Sequence, residues 1–310
     1  MDNEKISIRK KRSKFVNSLP LTLLALPGVA MVFLFHYVPL YGLILPFKNY
    51  DYSLGFWRSP WIGFKNFEYL FVGRGVLIAT RNTILYNFAF IVLGLVCSVL
   101  LALMLFEMQK RAVKTYQTII FLPYFISWVV AAYVLRSLLD MENGMLNNLL
   151  AIFGKNPVMW YNDARYWPPI IVLIYLWKHV GYNIVIFYAA LMGIDRELYE
   201  AARIDGAGKL KQVINISIPM LKPMITMIFL LNVGKILYGD FGLFYNTTMD
   251  SSLLYSTTDV IDTFVYRALT SLGDLGMSAA AGFLQSVLGF TIVISANALT
   301  RKVDKENALF

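Results

Sequence analysis

The chain has 310 residues, of which 58% are hydrophobic and only 15% charged, with a positive mean hydropathy. A soluble domain carries about a quarter of its residues as charges, so an ordinary soluble fold is excluded and the apolar runs decide the class. The 28 Lys+Arg against 19 Asp+Glu give a formal charge of +9, but the cations stand beside the apolar runs, which argues against a nucleic-acid binder.

A helix crosses the hydrocarbon core with about 20 mainly apolar residues, and in lipid every backbone amide needs an internal partner. Each sufficiently long apolar run is therefore expected to be a helix. Residues 1–18 form a basic segment containing Arg9, Lys10, Lys11, Arg12 and Lys14. The first run, 19–46, follows it like a signal peptide. It is too long for such an h-region, and five more runs follow, so it reads as a retained anchor. The second run, 80–106, holds Cys97, the single cysteine, so no intramolecular disulfide or cysteine-rich metal site is possible. Runs at 116–139, 168–193, 218–240 and 279–300 complete six spans. The expected fold is all-α and polytopic, with one transmembrane domain over 19–310.

Orientation follows from the cations. With the N-terminus inside, the inner segments hold the basic N-terminus together with Lys110, Arg111, Lys114, Arg196, Arg203, Lys209, Lys211, Arg301, Lys302 and Lys305. The outer segments hold Lys48, Arg58, Lys65, Arg74, Lys155, Arg165 and Arg267, roughly half as many. Both termini are thus expected in the cytoplasm. The outer loops, about 47–79, 140–167 and 241–278, are the long ones and are rich in aromatic residues. They read either as interfacial belts or as a docking surface for an extracytoplasmic partner.

Polar residues inside spans are costly and need a reason. In the fourth run, Tyr175, Lys178, His179 and Tyr182 fall at i, i+3, i+4 and i+7, on one stripe. The fifth run carries Asn232, Lys235 and Tyr238, with Asp240 beyond. Aromatic rings with hydrogen-bonding tips suit sugar rings. The alternative is interhelical packing for the tyrosines, and snorkelling or pairing with Asp240 or a partner subunit for Lys235. Two cations facing a pathway point to an acidic substrate.

Between these runs lies a charged interruption, "YEAARIDGAGKLKQVINISIP". Asp195 is a plausible N-cap with Glu197 in the first turn, and Leu198, Ala201 and Ala202 fall on one face. Gly206 and Gly208 break the helix, and Pro219 fits the entrance of the next span. The expected shape over 195–217 is a short helix, a glycine hinge and a second short helix across the cytoplasmic surface. Small residues suit insertion into a partner's groove. An amphipathic helix on lipid headgroups is the other reading, but alanines are poor anchors and the acids oppose anionic lipid.

Glu200-Ala201-Ala202, Gly206, Ile216 and Ile218-Pro219 stand at the spacing of a family signature, with only Ile218 replacing leucine. With it, the chain resembles the permease subunits of binding-protein-dependent ABC importers. "RNT" at 81–83, "FLPYFISWVVAAYVLRSLL" at 121–139 and "NGMLNNLL" at 143–150 look like the carbohydrate branch, of maltose and alginate type. "GFKNFEYLF" at 63–71 resembles its polysaccharide-type subgroup, often paired with a second permease. The resemblance implies an importer type I permease fold and makes the loop containing Glu200, Ala201, Ala202, Asp205, Gly206, Ile216, Ile218 and Pro219 a coupling helix seated in an ATPase subunit. It implies as partners a second permease, two ATPase subunits and an extracytoplasmic solute-binding protein that delivers an oligosaccharide, in a bacterial inner membrane. It also places sugar contacts in the spans flanking the loop, near the two polar stripes. Unlike the maltose-type first subunit, the chain has no extra N-terminal spans and no large inserted domain.

No phosphate loop occurs; for "GAGK" at 206–209 the position of the motif's first glycine is Arg203, and leucine follows the lysine. With only His36 and His179 and no tight carboxylate cluster, no catalytic or metal constellation is expected, and ATP and Mg belong on the ATPase partners. The rival is an ATP-independent secondary transporter or channel. It would show inverted repeats with broken helices or an acidic pore ring, and neither is evident.

Overall fold

A computed structural model of the chain describes Pro20 and residues 22–303; the basic segment 1–18 and Lys305 lie outside those residues. Among the described residues no regular strand forms, and Lys48 and Trp61 make an isolated antiparallel bridge. Five helices are long and apolar enough to cross a membrane: Thr22–Phe47, Arg74–Phe106, Ala164–Met192, Lys209–Val233 and Leu275–Lys302. A sixth crossing is a broken pair, Arg111–Phe125 and Trp128–Leu139, bent by 100°.

The continuous helix expected over 116–139 is therefore corrected. Pro123 has no N–H to donate, and the chain tightens into a 3-10 turn, Leu122–Phe125. Ile126 and Ser127 are extended, and the Ser127 hydroxyl accepts from the Val130 N–H at 3.3 Å to start a new helix. The first crossing also changes type near its prolines. A π turn, Phe33–Tyr37, precedes Pro39, and a 3-10 stretch, Val38–Phe47, contains it.

The fifth crossing does not begin at 218. Its helix runs from Lys209 through a π turn, Val213–Ser217, in which the Ile218 N–H donates to the Val213 carbonyl. Pro219 has no N–H for the Asn215 carbonyl, and the ladder slips by one residue just before it. That helix ends at Val233, short of the expected 240, so Lys235, Tyr238 and Asp240 lie beyond it. The second crossing, Arg74–Phe106, is longer than expected, about 50 Å at 1.5 Å per residue, and must project beyond a core about 30 Å thick.

The second and fourth crossings form the centre. Toward the loop at 195–217 they bury Ala102, Leu103, Val180, Ile184, Phe187 and Leu191 with Leu221 and Ile228 of the fifth. Toward the opposite end they bury Tyr86, Phe90, Trp167 and Ile171 with Leu243, Phe244, Leu254 and Val260. The "RNT" residues fasten the segment 256–261. Arg81 donates to Ser256 O and Asn82 to Asp259 O, each at 2.9 Å, and the Thr83 hydroxyl accepts from Ile261 N–H at 2.9 Å. In "NGMLNNLL", buried Asn147 donates to the Asp140, Met141 and Val158 carbonyls and accepts from Val158 N–H and Trp160 Nε1.

Candidate coupling loop and substrate pathway

Asp195 caps the helix Arg196–Ile204 by accepting from Glu197 N–H at 3.1 Å. The far end closes with Ala207 N–H to Ala202 O at 2.8 Å and Gly206 N–H to Arg203 O at 3.0 Å. Gly206 has φ +77°, the left-handed conformation this closure needs, which explains a glycine there. Gly208 then precedes Lys209, where the long fifth helix starts.

Tyr199, which the sequence did not single out, anchors the loop. Its ring is buried 5.7 Å from Phe106, and its hydroxyl lies 2.9 Å from the Ser217 hydroxyl. Gln212 Nε2 donates to Ala207 O at 2.8 Å, and Lys209 pairs with Glu107 at 2.5 Å. With Tyr199 inward, the expected residues Glu200, Ala201, Asp205, Gly206, Ile218 and Pro219 are exposed, while Ala202 and Ile216 are half-buried. Leu198 is exposed, and Ile204 and Leu210 stand 88% and 73% exposed. An open cleft of about 920 Å³ lies between the loop and residues Phe106, Met108, Tyr188 and Met192. Tyr199→Ala is expected to cost about 3 kcal/mol, as for other buried aromatic truncations. Tyr199→Phe should cost about 1 kcal/mol, the net worth of one hydrogen bond. Thermal unfolding of the purified protein checks both.

In the fourth crossing, Tyr175 stacks on Phe90 at 3.7 Å and on His179 at 4.3 Å. His179 Nδ1 lies 3.2 Å from Tyr175 O, and exposed Tyr182 stacks on Tyr124 at 4.9 Å. Lys178 is 8% exposed and is not an unpaired cation facing a pathway, as the stripe had suggested. Its ammonium donates to Tyr124 O at 2.9 Å, Pro123 O at 3.5 Å and Ile126 O where the third crossing breaks, and Pro123 O also accepts from Ile126 N–H at 3.1 Å. The Trp128 ring lies 5.2 Å away.

Tyr175, His179 and Asn232 line one small cavity of about 30 Å³ with Asn183. Asn232 donates to Ile228 O of its own helix at 2.9 Å. The second stripe is not continuous: Lys235 is exposed beyond the helix end, and Tyr238 shares a 2.9 Å hydrogen bond with Ser286. Nor does Asp240 take Lys235 as its partner. It accepts from Trp128 Nε1 at 2.8 Å and caps Phe241–Thr247 through Leu243 N–H at 3.1 Å.

The unwound stretch after Val233 is held by groups distant in sequence. Asn87 donates to the Ile236 and Tyr238 carbonyls at 2.9 and 3.0 Å, and Gln285 to Leu237 O at 2.8 Å. Asp262 accepts from Gly239 N–H at 2.6 Å; burial holds its carboxyl above the ordinary carboxylate range, against the hydrogen bonds it accepts. Arg267 bridges Asp250 at 2.8 Å and Asp259 at 2.6 Å. Burial likewise pushes the Asp259 carboxyl up, with Arg267 acting in the opposite direction.

Residues 75–305 match the family described as binding-protein-dependent transport system inner membrane component. Protein LplB of Bacillus subtilis (strain 168) is 32% identical over 287 residues, 92% of this chain and 90% of that protein. The polygalacturonan/rhamnogalacturonan transport system permease protein YteP of the same organism is 31% identical over 294 residues, 94% and 91% of the two chains. Among solved structures, the crystal structure of a bacterial ABC transporter involved in the import of the acidic polysaccharide alginate holds a similar chain. Its TM-score is 0.86 at 30% identity, covering 95% of this chain and 99% of that one. A second structure shows the alginate transporter in complex with its pentasaccharide-bound periplasmic protein, with a TM-score of 0.85 at 29% identity over 94% of this chain and 98% of that one. An all-helical, multi-pass chain with a glycine-hinged loop ahead of its fifth crossing, matched over most of its length, belongs to the inner-membrane component family of binding-protein-dependent transport systems.

Proposed function

We propose that this chain is a permease subunit of an ATP-driven importer that takes an oligosaccharide from an extracytoplasmic binding protein and passes it to the cytoplasm by alternating access. It makes and breaks no covalent bond in the solute. A second permease completes the path, and two ATPase subunits, carrying ATP and Mg, seat on the loop 195–217. Both termini face the cytoplasm, in keeping with the cation distribution. The substrate class draws on the saccharide transport named for YteP and for the alginate importer.

One observation carries the coupling role. The loop is fixed from within by Tyr199 and Ser217, yet presents Ile204 and Leu210 to solvent beside the small residues Ala201 and Gly206. A rigid element with exposed apolar side chains is built to be covered by a partner. Proline fixes φ near −65° and has no N–H, so Gly206→Pro loses both the φ of +77° and the Arg203 bond. Co-purification of the ATPase subunit is expected to fall at least tenfold in that variant. Equal recovery from wild type and variant would refute the assignment.

A further inference from the structure

A cation that faces open space stands on the other limb of the broken crossing. Arg136 stands in the last turn of Trp128–Leu139, exposed, and among the described residues no carboxylate forms an ion pair with it. Arg267, on the same outer side, is by contrast held by Asp250 and Asp259. Arg136 shares a groove of about 150 Å³ with Val129, Ala132, Tyr133, Asn246 and Met249. One wall is the half-helix; the other is the outer helix Phe241–Thr247 and the turn after it. The two walls are locked together. Trp128 Nε1 binds Asp240, and Gly242 lies so close to Trp128 that a Cβ there would stand 2.4 Å from the indole.

The groove is a poor face for lipid. Both walls follow breaks in helical backbone, at Ile126–Ser127 and after Val233, and irregular backbone at membrane depth survives only inside protein or beside water. The groove joins a planar guanidinium, a phenol ring 69% exposed and an amide. Asn246 Nδ2 donates to Gly242 O at 2.7 Å, which leaves the amide oxygen as an acceptor. An arginine matches a carboxylate with two parallel hydrogen bonds, and an exposed ring offers a flat apolar face.

We propose that this groove is a subsite for one uronate unit of the transported saccharide, with Arg136 pairing its carboxylate, Tyr133 stacking on its pyranose ring and Asn246 accepting from a hydroxyl. The proposal rests on the reading of the chain as a saccharide importer permease and assigns that substrate its charge. It moves recognition of the acid away from Lys178, whose ammonium is occupied by backbone carbonyls.

The test is ATP-driven uptake of a galacturonate trisaccharide into proteoliposomes that hold the complete importer, with its binding protein outside. Arg136→Gln is expected to lower uptake about tenfold, the effect of losing one charge-assisted bidentate contact. Arg136→Lys, which keeps the charge without the fork, should recover part of it. Tyr133→Ala should lower uptake several-fold and Tyr133→Phe leave it near the wild-type rate. A purely structural arginine would lower uptake of a neutral saccharide by the same factor as that of the trisaccharide. Wild-type uptake by an assembled Arg136→Gln importer overturns the subsite and leaves the importer reading intact. If that variant fails to assemble, the Tyr133 pair decides, with equal uptake by the Ala and Phe variants counting against the subsite. Wild-type uptake of neutral saccharides with none of the trisaccharide overturns the uronate assignment alone. ATP-driven uptake of no saccharide at all overturns both readings.

Discussion

Lys178→Met is expected to destabilise the protein by about 1–3 kcal/mol, the cost of leaving partly buried carbonyls without their donor. It is also expected to cut uptake by at least an order of magnitude. The methionine fills the stem's volume but cannot donate, so the Tyr124 and Ile126 carbonyls lose this donor in a partly buried site. Tyr124 O and Ile126 O stand at the 100° break and take the lysine as donor, whereas Pro123 O also accepts from Ile126 N–H at 3.1 Å. The lysine also ties the fourth crossing to the third at the break that precedes the half-helix Trp128–Leu139. A shift in the midpoint of thermal unfolding, read beside uptake by assembled complex, checks both parts. A methionine variant that melts with wild type would remove the structural role and return Lys178 to the pathway.

Gly181→Ala is expected to cost about 3 kcal/mol, at the upper end of what an added methyl costs in a tight interface. A Cβ at that position would lie 2.2 Å from Ile120 O and 2.9 Å from Phe121 Cα. Both obstacles are backbone, so no rotamer change relieves the clash, and one crossing must retreat from the other. Retreat is blocked on the far side, where the second crossing packs Ala102 and Leu103 against Val180 and Ile184. The change also strains the helix just past Lys178, so transport should fall with stability. Gly282→Ala is the control. Nothing lies within 4 Å of its Cβ position in the sixth crossing, and helix propensity should make it neutral or stabilising by up to about 1 kcal/mol. Equal melting of the two alanine variants would contradict the close approach.

Much of the architecture was legible because lipid forces long apolar runs into helices, and the glycine hinge of the loop follows from residue types alone. The break in the third crossing was less so. Its apolar run is unbroken by charge from Phe121 to Leu135, and the signals that mark it, Pro123 and a capping Ser127, also occur in continuous membrane helices. Likewise the run at 218–240 hides a helix that starts at Lys209, because Pro219 is tolerated just after a π turn, whereas Gly234 and Gly239 around Lys235 were a readable sign that it ends at Val233.

The partners of the striped side chains were less legible. Spacing placed Lys178 beside Tyr175 and Tyr182 correctly along one helix face, but it carries no information about a third crossing whose carbonyls claim the ammonium. Asn87, Gln285 and Asp262, which hold the segment 236–239, reach it from other helices and show no local pattern. Tyr199 had a readable signal. It is the largest ring in the short helix Arg196–Ile204, and an aromatic there was available to anchor that helix against the end of the second crossing.

Coupling through the loop at 195–217 is tested most directly by reconstituting the two permeases with their binding protein, with and without the ATPase subunits, and following saccharide uptake. A loop that transmits the work of ATP hydrolysis predicts concentrative uptake only when both ATPase subunits and ATP are present, and its loss in Gly206→Pro. Uptake at the full rate by permeases alone would contradict it and leave an ATP-independent carrier in its place.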